Sequence, residues 1–257
     1  MFAPPDISYF NIMGFPIYYY GIILAFSIFV GLIISNQFAI KEYFLTNFVP
    51  QISTSTIIGG IVGARLYYCI LNSQIYFSDP AQIFAIREGG LSIHGAILGG
   101  LTVLYIYSKR YHIRFLKVCD IFAIGMPIAQ AIGRWGNFFN SEAFGLPTNL
   151  PWGLYVKPQY RPTQFLSNEY FHPTFLYESV LDIVIFFVLI KFISPRYKDT
   201  SGIISASYLL LYSIVRIMIE SLRIDCVKYC FGIPFPIIIS IIITVLSCLF
   251  IIKTLRK

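Results

Sequence analysis

The sequence predicts an all-α polytopic membrane protein with about seven transmembrane helices and a small external head between helices four and five. Of its 257 residues, 57% are hydrophobic and 12% are charged, whereas soluble domains carry about 25% charged residues. The mean hydropathy is +0.72. The apolar residues are also grouped into stretches close to the roughly 20 residues that a helix needs to cross the hydrocarbon core.

Seven stretches are apolar enough to be spans. We predict helices at residues 18–38, 52–72, 93–108, 117–137, 175–193, 202–222 and 233–252. The long connection at 138–172 contains prolines and aromatic residues, and connections of this length are usually functional or have structure of their own. Aromatic side chains also suit the headgroup region. We therefore expect this segment to be an external cap within a single membrane domain, residues 1–257.

The N-terminal segment lacks a basic region and a small-residue cleavage site, so we expect no secretory signal peptide. The five cysteines are scattered. Cys226 and Cys230 are four residues apart, with no second pair and no histidine nearby, which argues against a zinc site. A disulfide between them remains an alternative, but small apolar filling is the favoured role. We expect neither a metal nor a cofactor.

The basic residues of the loops divide unequally between the two sides of the predicted membrane. One set of loops holds eleven and the opposite set holds four: Lys41, Lys109, Arg110, Arg114, Lys117, Lys191, Arg196, Lys198, Lys253, Arg256 and Lys257 against Arg87, Lys157, Arg161 and Lys228. Cytoplasmic loops carry the excess of such residues. The N-terminus is therefore predicted outside and the C-terminus in the cytoplasm. The net charge of +7 then reflects topology rather than nucleic-acid binding.

Four further arginines lie inside or at the ends of the spans: Arg65, Arg134, Arg216 and Arg223. An arginine there costs several kcal/mol unless it snorkels, pairs or faces a wet cavity. The predicted orientation brings polar groups of six helices to one outer depth. They are Tyr20, Arg65, Ser92, His94, Arg134, Asn137, His172, Thr174, Tyr177, Glu178, Arg216, Glu220 and Arg223.

The sixth stretch contains the densest polar pattern. Tyr212, Arg216, Glu220 and Arg223 are spaced 4, 4 and 3 residues apart, which places them on a stripe of roughly 80° on a helix. Arg216 and Glu220 can pair at i, i+4, so one interpretation is simple neutralisation of a buried charge. That pair would leave Arg134 and Arg223 unpaired, which favours an anionic ligand for the whole set.

The end of the fourth stretch allows two interpretations. Arg134 and Asn137 share a helix face, Asn140 and Glu142 follow, and the intervening glycines permit close approach of a neighbour. The run is either a capped helix end with a snorkelling arginine or part of a site. His94, at the start of the third stretch, is likewise either structural or catalytic.

Three arginines at headgroup depth suit a phosphate, which guanidinium groups bind through paired hydrogen bonds. At that depth phosphate occurs mainly in phospholipid. An enzyme of this design would stabilise a phosphate leaving group while a second substrate attacks, with His94 or Glu220 taking a proton. The alternatives are an anion transporter or channel and an inactive lipid-binding scaffold. The absence of internal repeats and of paired Gly/Pro-broken helices argues against a transporter.

Five motifs resemble the prolipoprotein diacylglyceryl transferase family. The run "GRWGNFFNSEAFG" (Gly133–Gly145) resembles its signature G-R-x-G-N-F-x-N-x-E-x-x-G at all eight specified positions. The runs "SIHGAILGG", "FHPTFLYES", "YSIVRIMIESLRID" and "YYYGI" resemble its S-x-H-G-G, H-P-[ST]-Q-L-Y-E, Y-G-x-x-R-x-x-x-E-x-x-R-x-P-D and W-Y-G-L segments. The motifs occur in family order and cover nearly the whole chain.

The resemblance implies seven transmembrane helices, an outward-facing site and an external head, in the bacterial cytoplasmic (inner) membrane. It implies two partners, phosphatidylglycerol and the signal peptide of a prolipoprotein with its lipobox cysteine. The diacylglyceryl group would move to the cysteine sulfur as a thioether, and glycerol 1-phosphate would leave. This is the first step of bacterial lipoprotein maturation.

Roles carry over by motif. The resemblance implies that Arg134 and Arg216 neutralise the phosphate and that His94 is a base or orienter for the thiol. The residues that would shape the site are Tyr20, Asn137, Tyr212 and Gly145. Glu220 and Arg223 would support Arg216. Glu142 would act with Asn140 on the glycerol of the lipid headgroup.

The chain departs from the family pattern at Tyr18, Tyr19, Ala96, Phe175, Ser213 and Ile224. None of these departures removes a charged group. They affect the expected packing around the third and sixth helices more than the chemistry.

Overall fold

The structure is a computed structural model that describes residues 2–5, 8–86, 89–224, 229–230 and 232–256. Each of the seven predicted stretches coincides with helical structure, apart from a few residues at its ends. The helices are α1 (Tyr19–Tyr43), α2 (Phe48–Leu71), α3 (Ser73–Ser78), α4 (Ile93–Arg110), α5 (Phe115–Phe139), α6 (Thr174–Val188), α7 (Ser194–Tyr197), α8 (Ile203–Glu220) and α9 (Phe235–Leu255). A π-helical turn, Leu189–Ile193, joins α6 to α7. The fifth predicted stretch therefore comprises α6 and this turn.

Five of the helices are long and apolar enough to cross a membrane: α1, α2, α5, α8 and α9. This confirms the prediction of a mostly helical, multi-pass membrane protein. The other two predicted spans correspond to α4, with 18 residues, and α6, with 15 residues before the π-helical turn.

The chain forms two compact units, a large unit of residues 1–35 and 122–257 and a small unit of residues 36–121. In the small unit, α2 and α4 pack backbone to backbone through glycines. A Cβ atom on Gly99 would lie 2.1 Å from the Gly59 carbonyl oxygen, and one on Gly95 would lie 2.3 Å from the Gly63 oxygen. Small residues permit such close helix packing in membranes, where lipid supplies no hydrophobic drive.

Gly99→Ala should therefore separate α2 from α4 and destabilise the protein by about 1–3 kcal/mol, the usual cost of overpacking. The measurement is thermal unfolding of the purified protein in detergent. Gly100→Ala is the matched control, because a Cβ atom there would meet its nearest neighbour, Thr56 Cγ2, at an ordinary 3.9 Å. Equal unfolding midpoints for the two variants would contradict the packing described.

In the large unit, α1 contacts α5 in the same way, since a Cβ atom on Gly125 would lie 2.1 Å from the Gly31 carbonyl oxygen. Helix α6 joins α5 through a hydrogen bond from Ser179 Oγ to the Ala131 carbonyl oxygen, 2.8 Å long. Helix α6 also packs on α8, and α8 packs on α9. These contacts bring Arg134 of α5, Glu178 of α6 and Arg216 of α8 together.

Three short antiparallel strand pairs accompany the helices in the described part of the chain, and none of them was predicted. Their strands are β1 (Tyr9–Ile12) with β2 (Phe15–Tyr18), β3 (Leu154–Tyr155) with β4 (Tyr170–Phe171), and β5 (Tyr229–Cys230) with β6 (Ile233–Pro234). Met13 and Gly14 turn the first hairpin with φ of 50° and 85°, as a primed two-residue turn requires. Methionine is an unusual residue there, so the turn has no clear sequence signal. Cys226 lies outside the described residues, and its pairing with Cys230 stays untested.

The segment between α5 and α6 has a small core of its own. Its buried residues are Ala143, Phe144, Leu154, Val156, Phe171 and Phe175. Phe2 packs against this cluster, and its carbonyl oxygen accepts a hydrogen bond from the Tyr155 amide at 2.9 Å. The long connection at 138–172 is therefore an ordered element that the N-terminal residues help to hold.

Candidate active site

Three arginines of the large unit converge on one carboxylate, that of Glu178 on α6. Arg216 Nη1 lies 3.0 Å and Arg223 Nη1 lies 3.4 Å from Glu178 Oε1. Arg134 Nη2 contacts Glu178 Oε2. The Glu178 side chain is 2% exposed, and the three arginine side chains are 14–19% exposed. We call Arg134, Arg216 and Arg223 the arginine set.

Helix geometry explains how α8 contributes to this arrangement. Arg216 and Glu220 are one turn apart on α8, and Arg216 Nη2 lies 2.8 Å from Glu220 Oε2. Arg216 therefore bridges two carboxylates, one on its own helix and Glu178 on α6. The predicted Arg216–Glu220 pair is present, but it is only part of a larger network.

The prediction that Arg134 and Arg223 lack an ionic partner is wrong, since both contact Glu178. From the sequence, Glu178 was expected at the same depth as the arginines but was given no role in the site. A signal was available: Glu178 lies in the segment "FHPTFLYES", at the position of the glutamate in the H-P-[ST]-Q-L-Y-E pattern.

Arg134 has a second polar contact, from Nη2 to the Tyr212 hydroxyl at 3.3 Å. The rings of Tyr212 and Tyr208 stack one helical turn apart on α8, with centroids 6.0 Å apart. The Tyr208 hydroxyl donates to Gln130 Oε1, one turn before Arg134 on α5, at 2.8 Å. The face that α8 presents to α5 is thus polar along two turns, and it orients the Arg134 side chain.

Glu142 is placed by a turn at the end of α5. Two non-glycine residues flanking it, Ser141 and Ala143, both have a φ of 55°, a left-handed conformation that costs about 1–2 kcal/mol. The carboxylate of Glu142 accepts long hydrogen bonds of 3.5 Å from the side-chain amides of Asn137 and Asn140. The predicted association of Asn140 with Glu142 is therefore present, with Asn137 added.

Gly145 is required by close backbone contacts. A Cβ atom there would lie 2.6 Å from the Leu222 carbonyl oxygen and 3.1 Å from His172 Cβ. The Gly145 amide donates to the His172 carbonyl oxygen at 2.8 Å, and the next amide, of Leu146, donates to the Leu222 oxygen at 2.8 Å. Gly145 thus lets the segment after α5 pass beside the residue that precedes Arg223.

Tyr20, Tyr177 and His172 of the large unit, also expected at the outer depth, have close contacts with neighbouring side chains or backbone. Tyr20 lies against α5 so closely that a Cβ atom on Gly136 would be 2.8 Å from its ring. The Tyr177 hydroxyl accepts a hydrogen bond from Trp152 Nε1 at 3.0 Å and lies 3.1 Å from His172 Nδ1. This network joins the 138–172 segment to the first turn of α6, directly before Glu178.

His94 and Arg65 belong to the small unit. His94 is exposed at the second position of α4, with its ring centroid 6.1 Å from that of Tyr67. Arg65 is buried and donates to backbone carbonyl oxygens of the connection before α4, among them Ile83 at 2.9 Å and Gly89 at 2.7 Å. Arg65 therefore stabilises this connection, which accounts for its charge without a ligand.

Three of the departures from the family pattern, Phe175, Ser213 and Ile224, lie at packed positions. Phe175 is fully buried and packs its ring against those of Trp135 and Phe138, with centroids 5.6 and 5.4 Å away. Ile224 packs on the same cluster, and Ser213 is buried within α8. Apolar neighbours thus accommodate Phe175 where the family has glutamine.

The arginine set holds one protein carboxylate, that of Glu178. Guanidinium groups stay charged when buried and donate several hydrogen bonds in fixed directions. A carboxylate is planar and a phosphate is tetrahedral, but each presents oxygen acceptors to which one guanidinium can donate two parallel hydrogen bonds. Within the described ranges, no three His, Cys, Asp or Glu side chains are grouped so that they could hold a metal ion.

The chain is similar to known proteins over most of its length. A family model described as prolipoprotein diacylglyceryl transferase matches residues 8–253. The phosphatidylglycerol–prolipoprotein diacylglyceryl transferase of Synechococcus elongatus is 40% identical over 228 residues, which cover 87% of this chain and 79% of the relative. That of Thermotoga maritima is 42% identical over 84% of this chain and 74% of the relative. That of Fervidobacterium nodosum is 51% identical over 66% of this chain and 58% of the relative. The chain belongs to the prolipoprotein diacylglyceryl transferase family.

Proposed function

We propose that this protein transfers the diacylglyceryl group of phosphatidylglycerol to the lipobox cysteine of a prolipoprotein. The products are a thioether-linked diacylglyceryl prolipoprotein and glycerol 1-phosphate. The names of the relatives support the two substrates. The observation that carries the proposal is the grouping of Arg134, Arg216 and Arg223 around Glu178 and Glu220, in which three positive side chains meet two negative ones.

The reaction needs positive charge at the phosphate. The sulfur lone pair forms a C–S bond to the glycerol carbon, the C–O bond to the phosphate breaks, and its electron pair leaves on the phosphate oxygen. Arg134 and Arg216 stabilise this developing charge, as pre-oriented donors do in other transfer enzymes. Their side chains are held in place by Glu178, Glu220 and Tyr212 before any substrate arrives.

The thiol must lose its proton to become an effective nucleophile. A free cysteine has a pKa of about 8.5, which nearby cations lower. We assign His94 as the base or orienter for this proton, because of its place in the "SIHGAILGG" motif and because an imidazole nitrogen can accept a proton. The proton that leaves the sulfur balances the charge gained by the departing phosphate.

The glycerol headgroup offers hydroxyl groups, and Glu142 offers a carboxylate that only long amide contacts engage. We assign Glu142, with Asn137 and Asn140, to these hydroxyls. We assign Tyr20 and Gly145 to shaping the site, because each packs closely against a neighbour, Tyr20 against Gly136 and Gly145 against the Leu222 carbonyl oxygen.

We also propose the finer topology. The chain crosses the bacterial cytoplasmic (inner) membrane seven times as one domain, with α4 and α6 as spans besides the five long apolar helices. The eleven basic residues in one set of loops against four in the other support an external N-terminus and a cytoplasmic C-terminus. Residues 138–172 then form an external head.

The test uses purified protein, phosphatidylglycerol and a synthetic lipobox peptide. Mass spectrometry should detect a peptide heavier by one diacylglyceryl group, together with glycerol 1-phosphate in equal amount. A lipobox peptide with serine in place of cysteine is the control and should remain unmodified. Absence of the modified peptide with folded protein, or anion flux through proteoliposomes without it, would refute the proposal.

A further inference from the structure

Asp182 is a buried carboxylate that the proposed reaction does not use. It lies one helical turn after Glu178 on α6 and is fully buried. Among the described residues, neither of its carboxylate oxygens has a hydrogen-bond partner. A buried carboxylate without hydrogen-bond donors keeps its negative charge only with the help of nearby positive charge, so the charge of Asp182 depends on the state of the arginine set.

The neighbours of Asp182 have their polar groups engaged elsewhere. The titratable groups described around it are Arg134 on α5, Glu178 on its own helix, and Tyr208 and Tyr212 on α8. The Tyr208 hydroxyl donates to Gln130, and Arg134 contacts Glu178 and Tyr212. Asp182 therefore acts on Arg134 through charge rather than through a hydrogen bond.

The charge balance of the site depends on Asp182. The arginine set carries three positive charges, and Glu178 and Glu220 carry two negative ones. With Asp182 protonated, the cluster has one net positive charge, which matches the single negative charge of a phosphodiester. With Asp182 ionised, the cluster is neutral, and its attraction for a lipid phosphate is weaker.

We propose that Asp182 couples protonation to lipid binding: it takes up a proton when a phosphodiester occupies the arginine set and releases it when the anion departs. The ligand class rests on the proposed function. Asp182 is thereby a positioning residue, because it acts through Arg134 and not on the substrate itself. As the pH rises, Asp182 loses its proton while the arginine set has no ligand. Binding then requires proton uptake, so the affinity for phosphatidylglycerol falls.

Calorimetric titration with short-chain phosphatidylglycerol tests this directly. Binding is measured in two buffers that differ in ionisation enthalpy, so that the difference in observed heat gives the number of protons exchanged. In the wild type, the number of protons taken up per bound lipid should rise towards one as the pH rises. The affinity for the lipid should fall by at most about tenfold per pH unit. Asp182→Asn, which has nearly the same shape and stays neutral, should bind without proton uptake and with a flat pH dependence.

Asp199→Asn is the matched control, because Asp199 is exposed beyond α7 and its variant should keep the wild-type linkage. Binding by the wild type without proton uptake would overturn the inference. Uptake that persists in Asp182→Asn would also overturn it, because the proton would then be bound by another group. Failure of the folded wild type to bind phosphatidylglycerol at all would instead refute the proposed function, and the inference with it.

Discussion

Replacing Arg134 by alanine is expected to slow transfer to the lipobox peptide by about 10²–10³-fold, the usual loss when one pre-oriented donor to a developing anion is removed. Arg134 contacts both Glu178 and the Tyr212 hydroxyl, so its guanidinium is aimed before substrate binds. Initial rates at saturating phosphatidylglycerol are the measurement. Arg110→Ala, at an exposed arginine that ends α4, is the control and should retain the wild-type rate.

Arg134→Lys separates charge from geometry. A lysine keeps the positive charge but lacks the planar fork that binds two oxygens together, so its rate should lie between those of the wild type and Arg134→Ala. A variant without Arg134 that transfers at the wild-type rate, in protein with an unchanged unfolding midpoint, would exclude this arginine from the reaction.

Replacing Glu178 by alanine is expected to reduce the free energy of unfolding by about 3–5 kcal/mol, because removal of one partner leaves buried charges uncompensated. Here one carboxylate serves three arginines, so its loss affects α5, α6 and α8 together. Denaturant unfolding in mild detergent measures the change. Glu169→Ala, at an exposed position of the 138–172 segment, is the control with little expected effect.

Glu178→Gln tests the same point with less change of shape. Its amide oxygen can still accept a hydrogen bond from one arginine, while its NH₂ group faces another guanidinium and repels it. An intermediate loss of stability is therefore expected. Unfolding free energies of both Glu178 variants within 0.5 kcal/mol of the wild type, about the limit for changes away from special features, would show that Glu178 does not hold the arginine set together.

The helices were predictable because their signal is local. A run of about 20 apolar residues is a span wherever it occurs, and α1, α2, α5, α8 and α9 follow that rule. The hairpin at Met13 and Gly14 was not predictable, since its left-handed turn uses a residue that rarely marks one.

The sequence predicted that Arg134, Arg216 and Arg223 belong to one site, but it did not predict that Glu178 is their common partner. Arg216 and Glu220 are neighbours along one helix, so their contact follows from a spacing of four. Glu178 meets Arg134 and Arg216 across 44 and 38 positions of sequence. That meeting depends on how α5, α6 and α8 pack, which no local pattern specifies.

Arg65 illustrates the converse case. From the sequence it is one more arginine at the outer depth, equivalent to Arg134. Its partners are backbone carbonyl oxygens of Ile83 and Gly89, groups that every residue carries and that therefore leave no trace in the sequence. Depth alone could not separate a structural arginine from a ligand-binding one.

The central claim is that the arginine set binds the phosphate of phosphatidylglycerol. The most direct measurement compares the affinity of the protein for short-chain phosphatidylglycerol with its affinity for the uncharged diacylglycerol of the same acyl chains, in the wild type and in Arg134→Gln. We expect the wild type to prefer phosphatidylglycerol and Arg134→Gln to lose most of that preference while still binding diacylglycerol. An equal preference in the two proteins would contradict the account.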